Sequence, residues 1–516
     1  MIDSSARVTL AAFMHDLGKL AERARIDVGR SDLDGNKQVY CPWALKGGYH
    51  THIHAAYTGI AWDQLEATGH FPDLKKDCEP FKVPEGDDNL PDSVVNAAAA
   101  HHKPDTFLQW IVATADRVAS GFERDNFDTK YNNLTERDNH YCARLLTLFE
   151  QIGKGEIKEG ELRWRYPLKQ LSPESLFPRK DCTPKNNSDA QAEYLVLWNA
   201  LLEGLKKIPP SHRKNLPMWL DHFDSLWLTM THAIPAATAF DVKPEVSLYD
   251  HSKAAAALAT ALWRWHHAHQ LETVASIRDG WNDAKFLLVQ GDFFGIQNFI
   301  FAEGGETNKH ANKLLRGRSF QVALMAECAA LSLLEALELP PTSQIINAAG
   351  KFLIVAPNTQ ATREAVNHVR REFNAWCLQH TYGEIGIGIA TTEASCNDFS
   401  KGRFADLQKR LFEQLDKAKH HRFDLCGETA PVFEGFLDQF DNDLGVCKIN
   451  GRYPAEIAAD EKRNYSRCRL ADDQISIGEA LTKKSRVLIS RDAGSLSSLL
   501  LDYFGWNIAF VPEEDI

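Results

Sequence analysis

The spacing of apolar residues changes near residue 285, and this change limits the fold of the chain more than any other feature. Upstream of it, apolar residues recur at the intervals that are typical of amphipathic helices. Downstream, residues 285–395 follow the order strand, helix, strand, strand, helix, strand, which is the ferredoxin-like arrangement. The sequence therefore predicts an α+β multidomain fold with an all-α N-terminal part.

Four domains follow from this pattern. We expect an all-α domain over 1–150, a polar loop and helical connector over 151–280, a ferredoxin-like βαββαβ domain over 281–400, and a small irregular linker domain over 401–516. The stretch from about 151 to 190 is rich in charge, Pro and Asn, which is typical of a surface connection.

Local patterns predict where the first helices lie. Ser4 or Ser5 is expected to cap a helix, whose apolar stripe runs from Val8 through Phe13 to Leu20. Further helices are predicted near 53–67, 92–102 and 106–124.

The ferredoxin-like segment also predicts its own packing. Its middle strands should be joined by a turn at Ala349-Gly350. Its two helices should cover one face of the sheet through Leu314, Phe320, Leu324, Val366, Val369 and Phe373.

The composition fits a globular protein that can bury large cores, with 44% hydrophobic and 25% charged residues. No apolar run approaches the roughly eighteen residues of a membrane span, and no signal peptide is evident. Ten cysteines without any CxxC pair fit a reducing cytoplasm, where we expect the protein. The net charge of −12 argues against a protein that coats nucleic acid by itself.

Histidine and aspartate residues gather at four places near the N-terminus. They are His15-Asp16 in FMHDLGKL, His50, His52 and His54 in YHTHIHAAYTG, His101-His102 in AAAAHHKPD, and Asp116 in ATADR. Imidazole and carboxylate ligands suit divalent transition metals such as Mn, Fe, Co or Ni. A carboxylate can bridge two such ions, and the pair can activate water against a phosphodiester. The joint pattern therefore predicts a metal centre in the helical domain.

Each of these pieces alone has a plainer interpretation. A single His-Asp dipeptide occurs often by chance, and three histidines in a loop can simply be solvated. Paired histidines can lie at a helix C-terminus, where positive charge is favoured. Asp116 is harder to explain in this way, because it lies beside an apolar stripe where a carboxylate needs a partner or a metal.

The order of the four pieces resembles the permuted HD domain of the large subunits of type III CRISPR effector complexes. The resemblance implies cleavage of single-stranded DNA, with His15 and Asp16 as the catalytic pair and Asp16 as the bridging carboxylate. His54 matches the family position best, because HAAYTG resembles its H-x-x-x-S/T stretch, and His52 is the second choice. The implied metal ligands are His15, Asp16, His54, His101, His102 and Asp116.

Three further stretches extend the resemblance, and their residues favour subtype III-A, the Csm complex. GDFFGIQNFIF (291–301) and KLLRGRSFQVALMAE (313–327) resemble its first palm domain, and SLYDHSKAAAALATAL (247–262) resembles the connector before it. The resemblance implies other Csm subunits, CRISPR RNA, target RNA, single-stranded DNA and ATP as partners, and no membrane.

The palm residues allow two interpretations. Lys313, Arg316 and Arg318 begin a helix whose N–H groups favour phosphate, so they can contact ATP or RNA, or they can form a solvated face. Asp292 is a single carboxylate, whereas a polymerase-type site needs at least two to hold its metals. We therefore expect possible ATP binding at Asp292 and the three basic residues, without catalysis there.

The chain departs from the resemblance in two places. It has no Gly-Gly-Asp-Asp turn and stops at VPEEDI, so we expect the second palm and the C-terminal domain to be lacking. Where many relatives carry two CxxC pairs, only Cys447 and Cys468 remain, because Asn450 and Ala471 replace the second cysteines. Cys426 would add at most a third ligand. Structural zinc normally takes four ligands, so no structural zinc is expected.

The sequence thus favours an RNA-guided effector subunit with a metal-dependent nuclease. Two other functions stay open: a free-standing HD phosphohydrolase that acts on nucleotides, and a catalytically inert scaffold. The long second half with a palm argues against the first, and the complete set of candidate ligands argues against the second.

This chain by itself should make no cyclic oligoadenylate. The palm hairpin, NAAGK at 347–351, has no acidic residue at its turn to pair with Asp292. Phosphoryl transfer to a ribose hydroxyl needs metal ions that carboxylates anchor. The test is to incubate the purified 516-residue chain with labelled ATP and Mg²⁺ or Mn²⁺. Formation of oligoadenylate would contradict the assignment of this palm as non-catalytic.

Overall fold

A computed structural model describes the chain except residues 73, 75–76, 83–91, 124–139, 153–161, 239–242, 401, 426–434, 436, 493, 495–497 and 513–516. Upstream of residue 285 the fold is helical, with two short hairpins. The helices are α1 (Ile2–Phe13), α2 (Leu17–Ala24), α3 (Arg30–Tyr40), α4 (His54–Ala67), α5 (Val94–Ala99), α6 (Phe107–Glu123), α7 (Asn187–Leu205), α8 (Leu216–Thr231), α9 (Leu248–Ala268) and α10 (Val274–Asp279). The hairpins pair β1 (Trp43–Ala44) with β2 (Tyr49–His50) and β3 (Asp77–Cys78) with β4 (Phe81–Lys82).

The first helix differs from its prediction at both ends. It begins at Ile2, so the predicted caps lie inside the helix. The Ser5 hydroxyl accepts a hydrogen bond from Arg264 of α9, 3.2 Å away, instead of one from the N–H groups of its own helix. The predicted apolar stripe is also divided between α1 and α2, because residues 14–16 form a turn.

One hydrophobic core joins the helices on both sides of residue 150. Its largest fully buried side chains are Trp62, Trp219, Trp227 and Trp263. α9 packs against both α1 and α6, so the predicted connector is part of the core of the N-terminal helices. Residues 162–186 between them contain no regular helix or strand, which agrees with the predicted surface connection. The domain boundaries themselves stay predictions.

Downstream of residue 285 the predicted order of strands and helices is confirmed. The elements are β5 (Phe286–Phe294), α11 (Ile296–Ile300), α12 (Ala311–Ala336), β6 (Gln344–Ala348), β7 (Lys351–Pro357), α13 (Gln360–Thr381) and β8 (Gly386–Ala394). The strands form an antiparallel sheet in the order β6-β7-β5-β8. The turn lies at Ala349 and Gly350 as predicted, and both residues have positive φ, 55° and 78°.

The central strand β5 is buried on both faces, because its side chains alternate between two cores. Leu287 and Val289 point into the core of α12 and α13, whereas Phe286 and Leu288 join the core of the upstream helices. Of the six residues predicted to pack the helices on the sheet, five are buried in the core that α12 and α13 form with the sheet. Phe320 is only partly buried, and its ring faces Phe510, with centroids 6.2 Å apart.

The last part of the chain packs around this sheet. It contains α14 (Phe404–His420), α15 (Arg469–Ala480), and a hairpin of β9 (Arg486–Ser490) and β10 (Asn507–Val511). α14 covers β8, while α15 lies along α12. Ile475 and Tyr503 belong to the same core as the sheet, so the described part of residues 401–516 packs directly on it.

One helical stretch, Thr307–Ala336, is long and apolar enough to cross a membrane by length and composition, with a hydropathy of 1.3. Of its most apolar window, 61% is buried inside the protein. It packs against α13, α15 and the sheet, so it is a core helix of this fold.

Substituting Gly317 by Ala should destabilise the fold by about 1–3 kcal/mol. A Cβ at Gly317 of α12 would lie 1.8 Å from the carbonyl oxygen of Gln474 in α15. An exposed helical glycine would gain stability from the same change, but here the two helix backbones would have to separate. Thermal unfolding of Gly317→Ala measures the effect, with the exposed Gly305→Ala as control, since nothing lies within 4 Å of its added Cβ. Equal melting temperatures would contradict the close contact.

Candidate metal centre

Five elements of the helical part bring the predicted histidine and aspartate residues to one place. His15 and Asp16 lie in the turn between α1 and α2, and His54 is the first residue of α4. His101 and His102 follow α5 in a short 3₁₀ turn, and Asp116 projects from α6. Residues that are up to 101 positions apart in sequence thus share one pocket.

A contact between backbones holds the α1–α2 turn against α4. Gly18 approaches α4 so closely that an added Cβ would lie 1.8 Å from the carbonyl oxygen of His54. The Thr58 hydroxyl donates to the carbonyl oxygen of His15 at 2.8 Å and accepts from the N–H of Gly18 at 3.1 Å. Thr58 is four residues after His54, so the two side chains lie on the same face of α4. The H-x-x-x-T spacing thus places the ligand His54 next to the hydroxyl that holds the α1–α2 turn.

Asp16 lies at the centre of the cluster, and its two carboxylate oxygens face different histidines. Oδ1 lies 3.5 Å from Nε2 of His54 and 3.8 Å from Nε2 of His101. Oδ2 lies 3.3 Å from Nε2 of His15 and 3.4 Å from Nε2 of His251. Its side chain is only 1% exposed.

The cluster can be described as two ligand sets on either side of Asp16, with His101 at their border, because its ligand atom also groups with those of His15 and Asp116. In the first set, ligand atoms of His54, His101 and His102 lie within 4.8 Å of one another, and in the second those of His15, Asp16 and His251 do so. Asp116 adds its Oδ1 to the second set, 3.2 Å from Nε2 of His251 and 3.7 Å from Nε2 of His15. This geometry suits two cations bridged by one carboxylate.

Backbone carbonyls orient two of the imidazoles. Nδ1 of His15 lies 2.6 Å from the carbonyl oxygen of Ala12, and Nδ1 of His101 lies 2.7 Å from that of Ala98. Each contact keeps the proton on Nδ1 and leaves Nε2 directed into the cluster, which is the usual support of a metal-binding histidine.

Charges and burial set the protonation states. Burial lowers the pKa of His101 to about 4 and holds that of His54 well below its usual value, so both rings are neutral near pH 7. Burial also lowers the pKa of His15, but the carboxylates of Asp16 and Asp116 outweigh it and raise this pKa to about 9. The pKa of Asp16 is held well below its usual value, against the effect of burial, by Lys19 and His15.

Two buried polar atoms indicate that the residues fit a metal. Oδ1 of Asp16 and Nε2 of His101 have no hydrogen-bond partner among the described residues. Burying such atoms without a partner costs free energy, and a cation placed between them would satisfy both. The neutral rings of His54 and His101 and the ionised carboxylate of Asp16 are also the protonation states that bind metal, whereas His15 has to release a proton to become a ligand.

His251 is the residue that sequence reasoning missed. It lies on α9, far along the chain from the other residues, and its side chain is 2% exposed. The sequence placed it in SLYDHSKAAAALATAL, a stretch that the resemblance assigned to a connector. A buried histidine on an alanine-rich helix face was the available indication, but nothing in its spacing related it to the N-terminal motifs.

Two histidines of the predicted triplet lie outside both ligand sets. His52 is exposed, and its ring packs on that of His102, with centroids 4.0 Å apart. His50 lies in β2, with Nδ1 3.3 Å from the carbonyl oxygen of Cys41. His54 rather than His52 is therefore the member of the triplet in the cluster.

The basic residues of the palm helix contact α15, although Arg316 is exposed and Lys313 is about half-exposed. Nζ of Lys313 lies 2.8 Å from Glu479, and Arg316 donates to the carbonyl oxygen of Gly478. Arg318 is 2% exposed and donates to the carbonyl oxygens of Ile300 and Ala302, which leaves it a structural role.

Asp292 is buried at the end of β5, where two lysines approach its carboxylate. Lys419 of α14 forms an ion pair with it, and Lys351 lies 3.6 Å away. These ammonium groups neutralise the carboxylate in the place where a metal-dependent palm would hold its ions.

The remnant of the cysteine pairs is compact and buried. Asn450 stands where the resemblance places a second cysteine. Its amide Nδ2 lies 3.5 Å from Sγ of Cys468, to which it donates a hydrogen bond. Ala471 is fully buried and offers no donor atom, while Cys426 lies outside the described residues. The absence of structural zinc stays a prediction.

Substituting His251 by Ala should weaken the binding of Mn²⁺ at least about 10-fold, because it removes a donor from one ligand set. Isothermal titration of the metal-free chain with Mn²⁺ gives this affinity without any assay of activity. The matched control is His267→Ala, which changes a half-exposed histidine of the same helix that pairs with Glu272. Unchanged affinity of His251→Ala would remove His251 from the centre.

Comparison with known proteins agrees with this architecture. Residues 285–434 match the family model described as Csm1 subunit domain B. The chain is similar to proteins named CRISPR system single-strand-specific deoxyribonuclease Cas10/Csm1 (subtype III-A). It is 31% identical to the one from Thermococcus onnurineus over 86% of this chain and 50% of that protein. It is 26% identical to the one from Methanocaldococcus jannaschii over 80% of this chain and 54% of that protein.

Solved structures share the fold. The apo Csm1-Csm4 cassette has a TM-score of 0.63 and 17% identity, covering 99% of this chain and 55% of the other. The cassette in complex with one ATP has a TM-score of 0.62 and 18% identity, with coverage of 99% and 56%. The chain spans about half the length of the curated relatives it matches. Within that span, the chain is similar to the Cas10/Csm1 proteins of subtype III-A, and residues 285–434 match their domain B.

Proposed function

We propose that this chain carries the metal-dependent nuclease of a type III-A CRISPR effector complex, and that it cleaves single-stranded DNA. The observation that carries the proposal is Asp16, a buried carboxylate whose two oxygens each face histidines of a different ligand set. Such a centre suits phosphodiester hydrolysis. The relatives' name, single-strand-specific deoxyribonuclease, supports the same substrate.

The proposed cofactor is a pair of divalent transition ions, Mn, Fe, Co or Ni. Imidazole-rich sets with few carboxylates favour these ions over Mg²⁺, which prefers oxygen ligands. His54, His101 and His102 would hold one ion, and His15, Asp116 and His251 the other, with Asp16 between them. When bound, such ions supply Lewis-acid activation of the phosphodiester.

The chain's own residues prepare the site for this chemistry. The carbonyl oxygens of Ala12 and Ala98 hold two imidazoles in the ligating orientation. Nζ of Lys19 lies 2.5 Å from Oδ2 of Asp16 and is 18% exposed, so it provides positive charge at the edge of the cluster. Positive charge there would attract a phosphate and stabilise it near the ligands.

Partners and the domain plan belong to the same proposal. Solved relatives are cassettes of Csm1 with Csm4, which supports a second Csm subunit as a partner of this chain. CRISPR RNA and target RNA follow from the family. A division into HD domain, connector, first palm and linker domain is proposed on the order of elements given above. ATP at the first palm is proposed on the cassette with one ATP, with Lys351 and Lys419 beside Asp292 as cations suited to phosphate.

Asp16→Ala should lower single-stranded DNA cleavage by more than about 100-fold, and His101→Ala by about 10- to 100-fold. The order follows because Asp16 offers two oxygens that face different histidines, whereas His101 offers the single atom Nε2. The assay uses a labelled oligonucleotide with Mn²⁺, and the exposed Asp3→Ala of α1 as a matched control.

Three outcomes would overturn this function. Equal cleavage by wild type and Asp16→Ala would assign the activity to a contaminant. Hydrolysis of free nucleotides without strand cleavage would favour the free-standing phosphohydrolase. Metal binding without either reaction, also in the presence of the partner subunits and RNAs, would leave a scaffold.

A further inference from the structure

A small hairpin beside the metal centre exposes large apolar side chains. It consists of β1, β2 and the turn between them. Trp43 is 54% exposed, Leu45 91% and Tyr49 59%. Single exposed apolar residues are common, but three of them within seven positions single out this hairpin as a candidate contact element.

The hairpin is continuous with the proposed nuclease site. The chain leaves β2 at His50 and reaches the ligand His54 after three residues. The N–H of Thr51 donates to the carbonyl oxygen of Pro42 at 2.9 Å, which anchors the hairpin to this segment. His52 then packs on His102, whose Nε2 lies 2.9 Å from that of His54.

The two exposed aromatic rings lie on opposite faces of the hairpin. Trp43 is paired with His50, and the two rings contact each other at 4.8 Å. Tyr49 is paired with Ala44 instead, and its ring folds back over Gly47, where an added Cβ would clash with it. Directly paired residues share a face and neighbours alternate, so the face of Trp43 and His50 is distinct from that of Tyr49.

Backbone strain occurs in the segment that links the hairpin to the metal centre. His52 has φ of 55°, in the left-handed region that costs free energy for a residue with a Cβ. This conformation directs the exposed ring of His52 onto His102, next to the ligands. Strain of this kind is found where a side chain must be held in a particular place.

The charge of this segment suits a polyanion. From Cys41 to His54 the chain has no Asp or Glu, and Lys46 is exposed in the hairpin turn. Lys103 follows His102 and donates to the carbonyl oxygens of Gln38 and Val39 just before the hairpin. A chain with a net charge of −12 thus has no acidic residue in the 14-residue segment from Cys41 to His54 that leads into the site.

We propose that the face of Trp43 and His50 is a base-stacking platform for single-stranded DNA on its way to the metal centre. This inference rests on the proposed function. Stacking on aromatic side chains is insensitive to sequence, because every base has a π-face. It also selects single strands, because the bases of a duplex are already stacked on one another. The platform therefore accounts for strand preference without base-specific contacts.

The test separates base stacking from phosphate attraction. Binding is measured by fluorescence anisotropy with a labelled oligothymidylate of about 12 nucleotides, and with an abasic strand of the same length. The full 516-residue chain is used with a chelator, so that no cleavage occurs. Trp43→Ala should weaken oligothymidylate binding about 5- to 150-fold and leave abasic binding nearly unchanged. Trp43→Phe, which keeps a ring, should lose less.

Tyr49→Ala is the matched control, because it removes an equally exposed ring from the other face of the same hairpin. Mn²⁺ affinity of both variants should equal that of wild type, which verifies that the centre is intact. The platform is overturned if Trp43→Ala weakens both strands equally, if Tyr49→Ala has the larger effect, or if the chain binds neither strand. Loss of a Csm subunit from Trp43→Ala, with unchanged DNA binding, would overturn it in favour of a protein contact.

Failure of the platform and failure of the nuclease are distinguishable. Replacing the chelator by Mn²⁺ measures cleavage separately from binding. Trp43-dependent binding without cleavage would retain the platform and reject the nuclease. Cleavage together with DNA binding that does not depend on Trp43 would retain the nuclease and reject the platform.

Discussion

The structure of the helical part depends on how a buried carboxylate is compensated. Asp16 is 1% exposed, and an ionised carboxylate in such a place is costly unless positive or hydrogen-bonding groups surround it. Lys19 and the imidazoles of His15 and His251 supply those groups on one side. On the other side Oδ1 has no hydrogen-bond partner among the described residues, and a cation would satisfy it. Asp16 lies in the same turn, residues 14–16, that divides the first predicted helix into α1 and α2.

Bringing five elements around one carboxylate requires helices that approach closely. Alanine and glycine make this possible, because α1 packs against both α5 and α9, and all three helices carry buried alanines. Gly18 allows the backbone of α2 to touch that of α4, and no larger side chain would fit there. The ligand geometry is therefore a consequence of helix packing, and small residues that carry no functional group decide whether it is reached.

α9 connects this centre to the sheet. His251 lies near its N-terminus in the cluster, while the rest of the helix packs against α1, α6 and β7. Both faces of β5 are buried, one in each of the two cores, so this strand joins them. In the palm, basic residues that suggest phosphate binding in the sequence contact other parts of the fold: Lys313 pairs with Glu479, and Arg318 donates to backbone carbonyls. Long side chains can turn toward any neighbour within reach, so their partners are decided by packing.

The sequence by itself determined the order of elements, the turn at Ala349-Gly350 and six of the residues in the cluster, because periodicity, turn chemistry and local motifs act over a few neighbouring positions. It did not determine where the first helix ends, which face Phe320 takes, or that Lys313, Arg316 and Arg318 contact α15. It also missed His251, whose place in the centre depends on α9 folding back across α1 and α6. Only the tertiary structure decided these points, because contacts between residues far apart in sequence leave no periodicity that one chain can display.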